Sequence, residues 1–311
     1  MADVRWIVRP GDGATVGQVL ARAGADAAAA DEGRVFVGRA RARSGDERVR
    51  VGDEVRVAAR RPERDLATPV AFLARDGDLV AVAKPAGIPT IPDHGGAAHS
   101  LLAAVARALG LAPDRVHPTS RLDRDVSGVV VFALSKGAGA RLLLARAEGR
   151  YDRRYVALAQ RAPAPDRGVW TAPIGRARDP RLRAVAGPDP TPASTRYAVT
   201  AVAAGGACML AVMPVTGRTH QIRVHAAHAG APLLGDRAYG GPARVTLCSG
   251  RVLEPRRIAL HAARVVVPRE DGTPLVLSAP LPQELASLWS ALGGEAAAWE
   301  VSLACDLPVS S

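Results

Sequence analysis

Two stretches far apart in the chain gather side chains that can hold charge or bind a charged group. The first, HPTSRLDRDVSGVVVFALSKG, runs from His117 to Gly137 and sets Arg121, Asp123, Arg124 and Asp125 directly before an apolar run. The second, PVTGRTHQIRVHAAHAGAPLLGDRAYG, runs from Pro214 to Gly240 and crowds Arg218, His220, Gln221, Arg223 and His225 at the start of a helical pattern. Charge set against a core element is costly unless something compensates it. Taken alone, RLDRD fits a turn in which the aspartates cap backbone or pair with neighbouring arginines. The second stretch, alone, fits a solvated basic face. A third possibility is metal-assisted hydrolysis on His220, His225, His228 and His261, but no carboxylate or cysteine completes a familiar ligand spacing, and no metal is expected.

Several strand-like runs must position these residues. They include LVAVAK from Leu79, VVVFAL from Val129, YVALAQ from Tyr155, RYAVTAVAA from Arg196, CMLAVMPV from Cys208, ARVVVP from Ala263 and PLVLSAP from Pro274. Helical patterns cover Ser100 to Leu109, with Ser100 as cap and Gly110 past the end, and roughly Thr219 to Ala229. Strand and helix do not alternate strictly, so the expected class is α+β around a mixed sheet. Before it, Gly13 to Ala59 is a compact stretch whose helix-like half, VGQVLARAGADAAAADEG, leads into a turn-and-strand half. RRPERDLATP reads as a linker. The expected organisation is a small domain over 1–60, a linker over 61–70, the main domain over 71–290 and a tail over 291–311.

The chain has 311 residues, 48% of them apolar, with 41 Lys and Arg against 30 Asp and Glu, which gives a net charge of +11. This is a globular composition, and its basicity points to a polyanionic partner, nucleic acid first. The three cysteines, Cys208, Cys248 and Cys305, suggest neither a disulfide framework nor paired metal ligands. Met1, Ala2 and Asp3 begin no apolar targeting segment, and no window is apolar enough to span a bilayer. A soluble cytoplasmic protein, expected to be a monomer, fits these features.

SRLDRDVSGVVVFALS and TGRTHQIRVHAAHAGAPLLGDRAYGG resemble the signature motifs of the RluA-type pseudouridine synthases, in which an Arg-Leu-Asp triplet carries the catalytic aspartate. VAVAKPAGIPTIP from Val80 resembles the family's Lys-Pro-x-Gly segment, RRYVALAQ from Arg153 its tyrosine motif, and RRIALHAARVVVP with LSAPLP its closing strands. The resemblance covers residues from about 75 to 285 in the family's order. GRVFVGRARARSGDERVRVGDEVRV resembles the alpha-L RNA-binding motif, which commonly precedes this catalytic domain. It implies a small N-terminal α/β RNA-binding domain before a pseudouridine synthase fold, whose mixed, mainly antiparallel sheet is flanked by helices.

The resemblance implies that the chain isomerises uridine to pseudouridine in structured RNA, ribosomal RNA first and transfer RNA second, without cofactor or nucleotide. Asp123 would be the catalytic carboxylate, Arg223 its cationic partner and Tyr155 the platform for a flipped-out base. Arg121, Arg124, Arg218 and His220 would position phosphates or brace loops. One departure stands out: many members have histidine immediately before the triplet, where this chain has Ser120. A catalytically silent RNA-binding or ribosome-assembly factor on the same fold is the alternative, and the intact Asp123, Tyr155 and Arg223 argue against it.

Overall fold

The computed structural model describes residues 4–38, 40–42, 44–57, 70–92, 99–247 and 252–308. They fall into two compact units, and the expected linker, 61–70, lies almost wholly outside the described residues.

In the amino-terminal unit, strands β1 (Val4–Ile7), β2 (Val35–Val37), β3 (Ala40–Arg41) and β4 (Glu54–Val57) form an antiparallel sheet in the order β1-β4-β2-β3. Helix α1 (Val16–Arg22) contributes Val16, Val19 and Leu20 to a core shared with Val35, Val55 and Val57. Thr15 caps α1 by accepting from the Gln18 N–H at 3.4 Å. The helix-like stretch is interrupted: Asp26 accepts from the Ala28 N–H and starts a separate short turn, Ala27–Ala29. An aspartate that can bond nearby backbone competes with helix continuation, which ends the periodicity early.

The larger unit is built on strands β5 (Ala71–Asp76), β6 (Leu79–Lys84), β7 (His117–Pro118), β8 (Ser127–Ala133), β9 (Asp152–Ala159), β10 (Arg167–Trp170), β13 (Thr195–Val202), β14 (Cys208–Pro214), β17 (Leu260–Pro268) and β18 (Pro274–Ser278). Their order is β10-β13-β14-β9-β17-β8-β6-β5, with β18 beside β17 and β7 beside β8. Every pairing is antiparallel except β17 with β8, where His261 and Ala262 pair with Ser127 and Gly128. The strands cross so closely there that a Cβ on Gly128, φ +127°, would collide with the Ala262 backbone. Two-stranded pairs, β11 (Ile174–Arg176) with β12 (Arg183–Val185) and β15 (Val245–Thr246) with β16 (Val252–Leu253), lie outside this sheet.

One sheet face packs Val80, Val82, Val130, Phe132, Tyr155 and Ala157 against helices α2 (Leu101–Leu109) and α4 (Gln221–His228). The opposite face carries α3 (Lys136–Ala147) over β8, and α5 (Gln283–Ala291) with α6 (Ala298–Ala304) over β9 and β14. Within the expected tail, 291–311, helix α6 packs on this face. Trp289 and Trp299 are buried in that second core, and Arg154 donates to the Leu303 carbonyl at 3.2 Å. No helix among the described residues is long and apolar enough to cross a membrane.

Candidate active site

Asp123 stands in the loop between β7 and β8, and two buried polar side chains hold that loop from beneath. Thr90 Oγ1 accepts from the Leu122 N–H at 3.0 Å and donates to the Leu122 carbonyl at 2.9 Å. Lys84, at the end of β6 and 1% exposed, donates from Nζ to the carbonyls of Pro85 (3.0 Å), Ile88 (2.7 Å) and Arg124 (3.0 Å). Only the ammonium has a proton for each of these acceptors, although burial pulls its pKa down to about 7. Leu122 and Val126 both enter the apolar core, and the Val126 N–H closes the turn on the Asp123 carbonyl at 3.1 Å. The Asp123 carboxylate between them remains 27% exposed.

Arg223 meets it from α4. Its Nη1 donates to Asp123 Oδ2 at 2.8 Å, while Nε and Nη2 form a two-pronged pair with Asp236 at 2.7 and 2.8 Å. The ring of Tyr239 lies 4.8 Å from the guanidinium carbon. Burial alone would lower the Arg223 pKa; the two carboxylates outweigh it and hold the group above the usual arginine range.

His220 caps α4 in a left-handed conformation, φ +59°, uncommon outside glycine. Its Nδ1 is 2.7 Å from the Tyr239 hydroxyl and its Nε2 is 3.8 Å from Asp123 Oδ2. The Tyr239 oxygen also accepts from the Arg183 N–H at 3.0 Å, and its own proton can serve a neutral His220 at Nδ1, whose Nε2 faces Asp123. Burial lowers the His220 pKa, which favours this neutral form.

Tyr155 lies on β9, 6% exposed, in the same core as Leu122, Val126 and Ile222. Burial raises its pKa, and the charge on Asp123 pushes the same way. The phenol thus stays protonated, which suits an apolar platform better than a base. Arg121 is exposed, Arg124 contributes its carbonyl to Lys84, and Arg218 donates from Nε to the Pro192 carbonyl at 3.0 Å. Asp123, Arg223 and His220 are thus brought together, whereas the side chains of Arg121 and Arg218 make no hydrogen bond or ion pair with that group. Ser120 is 9% exposed and accepts from the Tyr151 hydroxyl at 3.4 Å.

Sequence reading missed Lys84, Thr90, Asp236 and Tyr239 as parts of this arrangement. Asp236 and Tyr239 lie in the quoted GDRAYG segment, but their roles depend on folding back against α4, which no spacing reports. Two of the other histidines are engaged: His225 bonds Thr195 Oγ1 (2.9 Å) and the Ala172 carbonyl (2.8 Å), and His261 bonds Ser127 Oγ through Nδ1 (2.7 Å). Among the described residues no group of three or more His, Cys, Asp or Glu side chains is placed to hold a metal.

A pairing of loop carboxylate and helix guanidinium at the centre of such a sheet accompanies a match of residues 78–228 to the family described as RNA pseudouridylate synthase, which places the chain among RNA-modifying isomerases. The chain belongs to the RluA-type RNA pseudouridine synthases. It is 33% identical to an uncharacterised RNA pseudouridine synthase, YhcT, of Bacillus subtilis, covering 77% of this chain and 79% of that protein. It is 33% identical to ribosomal large subunit pseudouridine synthase D of Nitrosomonas europaea (78% and 72%) and 32% identical to the dual-specificity RNA pseudouridine synthase RluA of Escherichia coli (67% and 92%). The fold is similar to human RNA pseudouridylate synthase domain containing 4, with a TM-score of 0.57 at 23% identity, over 71% of this chain and 92% of that one. The chain is an isomerase that converts uridine to pseudouridine in RNA.

Proposed function

We propose that Asp123 is the carboxylate that acts on the target uridine, with Arg223 as its fixed cationic partner and Tyr155 as the platform beside the extruded base. The reaction breaks the bond from ribose C1′ to uracil N1, turns the base and joins C1′ to C5; the C5 proton leaves and N1 takes up one, so the product is an isomer of the substrate. Asp123 serves it by attacking C1′, or as base and electrostatic stabiliser on an elimination route through a glycal. The observation that carries this reading is the 2.8 Å bond between Arg223 Nη1 and Asp123 Oδ2, which gives the carboxylate a fixed cationic partner while leaving it accessible. The uridine must leave its stack, at a cost of a few kcal/mol, which favours loops in structured RNA. Ribosomal RNA is the first substrate to test, for a protein acting as a monomer in the cytoplasm, and the amino-terminal unit adds contacts to phosphate.

Asp123→Asn is expected to abolish turnover and to leave RNA affinity within several-fold, because affinity rests on cations and phosphates. Release of tritium from 5-tritiated uridine, using total RNA from cells lacking the gene, reports turnover directly. Appreciable single-turnover activity in this variant removes Asp123 from its role.

A further inference from the structure

The face of β9 that carries Tyr155 also carries Arg153, 7% exposed, whose Nη2 donates to the carbonyls of Pro214 (2.8 Å) and Thr216 (2.7 Å). A second guanidinium, Arg146 from the last turn of α3, closes on the same bend. A Cβ on Gly217 would collide with Arg146 Nη2 and stand 3.4 Å from Arg153 Nη1, so the space left by the missing side chain is shared by two cations. Arg218 follows directly, exposed, at the same bend. Among the described residues no carboxylate pairs with Arg146, Arg153 or Arg218, and Arg153 Nε is buried without a hydrogen-bond partner. Burial works against the Arg146 cation, and the charges of Arg153 and Arg218 add to that. Like charges gathered without a counter-ion lower stability, and such local costs collect at functional sites.

We propose that Arg146, Arg153 and Arg218 form, around Gly217, a subsite for a backbone phosphate of the RNA, the one flanking the uridine presented to Asp123. A phosphodiester supplies the missing negative charge and two acceptor oxygens, which planar guanidinium forks match. Arg153 stands two residues before Tyr155 on the same face of β9, which sets the subsite beside the proposed base platform. The inference rests on Asp123 marking the place where uridine reacts.

Two variants test it. Arg146→Gln removes one cation, and Gly217→Ala keeps every charge but displaces the Arg146 guanidinium. For each, the apparent Kd for end-labelled total RNA from cells lacking the gene is measured across salt concentrations, alongside the melting temperature of the RNA-free protein. Both are expected to weaken affinity roughly fivefold or more, and Arg146→Gln to reduce the salt slope by about one. Arg146→Gln is further expected to melt no lower than the wild type, because it relieves repulsion; a purely structural arginine would lower the melting temperature. Wild-type affinity in Arg146→Gln overturns the subsite, and so does an affinity loss matched by a fall in melting temperature. Should Gly217→Ala not fold, Arg146→Gln decides alone. Inorganic phosphate that competes with RNA on the wild type but less on Arg146→Gln supports the subsite; phosphate binding at Arg146 with RNA affinity unchanged in the variant means a free-anion site and overturns it. Asp123→Asn run in parallel separates the failures: surviving turnover there removes the reading of the active site, whereas unchanged RNA affinity in Arg146→Gln removes only the phosphate subsite.

Discussion

Arg223 serves two carboxylates of unequal standing. Asp236, 1% exposed, takes two of its N–H groups, and Asp123, 27% exposed, takes one. Asp236 is therefore the permanent counter-ion of the buried guanidinium, which keeps a partner whatever happens at Asp123. Arg223→Ala is expected to damage activity more than Arg218→Ala, as the sequence suggests, but for an added reason. The carboxylate left buried and unpaired is Asp236 rather than Asp123, at a cost of about 3 to 5 kcal/mol in stability. Thermal melts should show that loss for Arg223→Ala only, with Arg218→Ala weakening RNA binding instead. Rates at saturating RNA decide: turnover lost in Arg218→Ala and kept in Arg223→Ala inverts the assignment.

The loop that carries Asp123 owes its shape to strand ends. Lys84 terminates β6 and fixes three carbonyls at once, including that of Arg124, 40 residues further on. Lys84→Met is expected to strand those acceptors, costing about 1–3 kcal/mol, and to slow single-turnover conversion by loosening the loop around Asp123. A Lys84→Met protein with wild-type melting temperature and rate rules the brace out. Elements of this kind were legible where the signal is local. The strands at Leu79, Val129 and Cys208 are apolar runs, and Ser100 with Gly110 at the ends of α2 are side-chain and left-handed caps that the sequence names outright. What was not legible depends on folding back: α6 docks Trp299 on the sheet, and the GDRAYG segment brings Asp236 and Tyr239 to α4. Asp123 and Arg223 were reachable because the resemblance assigns each a role, whereas it assigns none to Lys84 in the Lys-Pro-x-Gly segment, whose three carbonyl acceptors come together only in the fold.

Charge is unevenly spread over the whole molecule, and that sets what each unit adds to RNA binding. Residues 1–60 hold 11 arginines against nine acidic residues, a net of +2, so most of the total of +11 stays with the rest of the chain. Long-range attraction to RNA therefore survives removal of the amino-terminal unit. The contribution we propose for the unit is local: on its sheet, Phe36 pairs in register with Arg41 and Arg56, whose guanidiniums stand 5.5 and 4.7 Å from its ring. Its core, from Val8 to Val57, shares no residue with the cores of the larger unit, which supports separate folding. Deleting residues 1–60 is accordingly expected to leave a folded protein that still converts uridine, with RNA affinity weakened several-fold and the salt slope reduced by about one or two. Comparing the truncated and full chains by apparent Kd across salt concentrations, and by turnover at saturating RNA, checks both halves. A truncated chain that fails to fold contradicts the independence of the two cores, and one that binds RNA as tightly as the full chain removes the amino-terminal unit from RNA recognition.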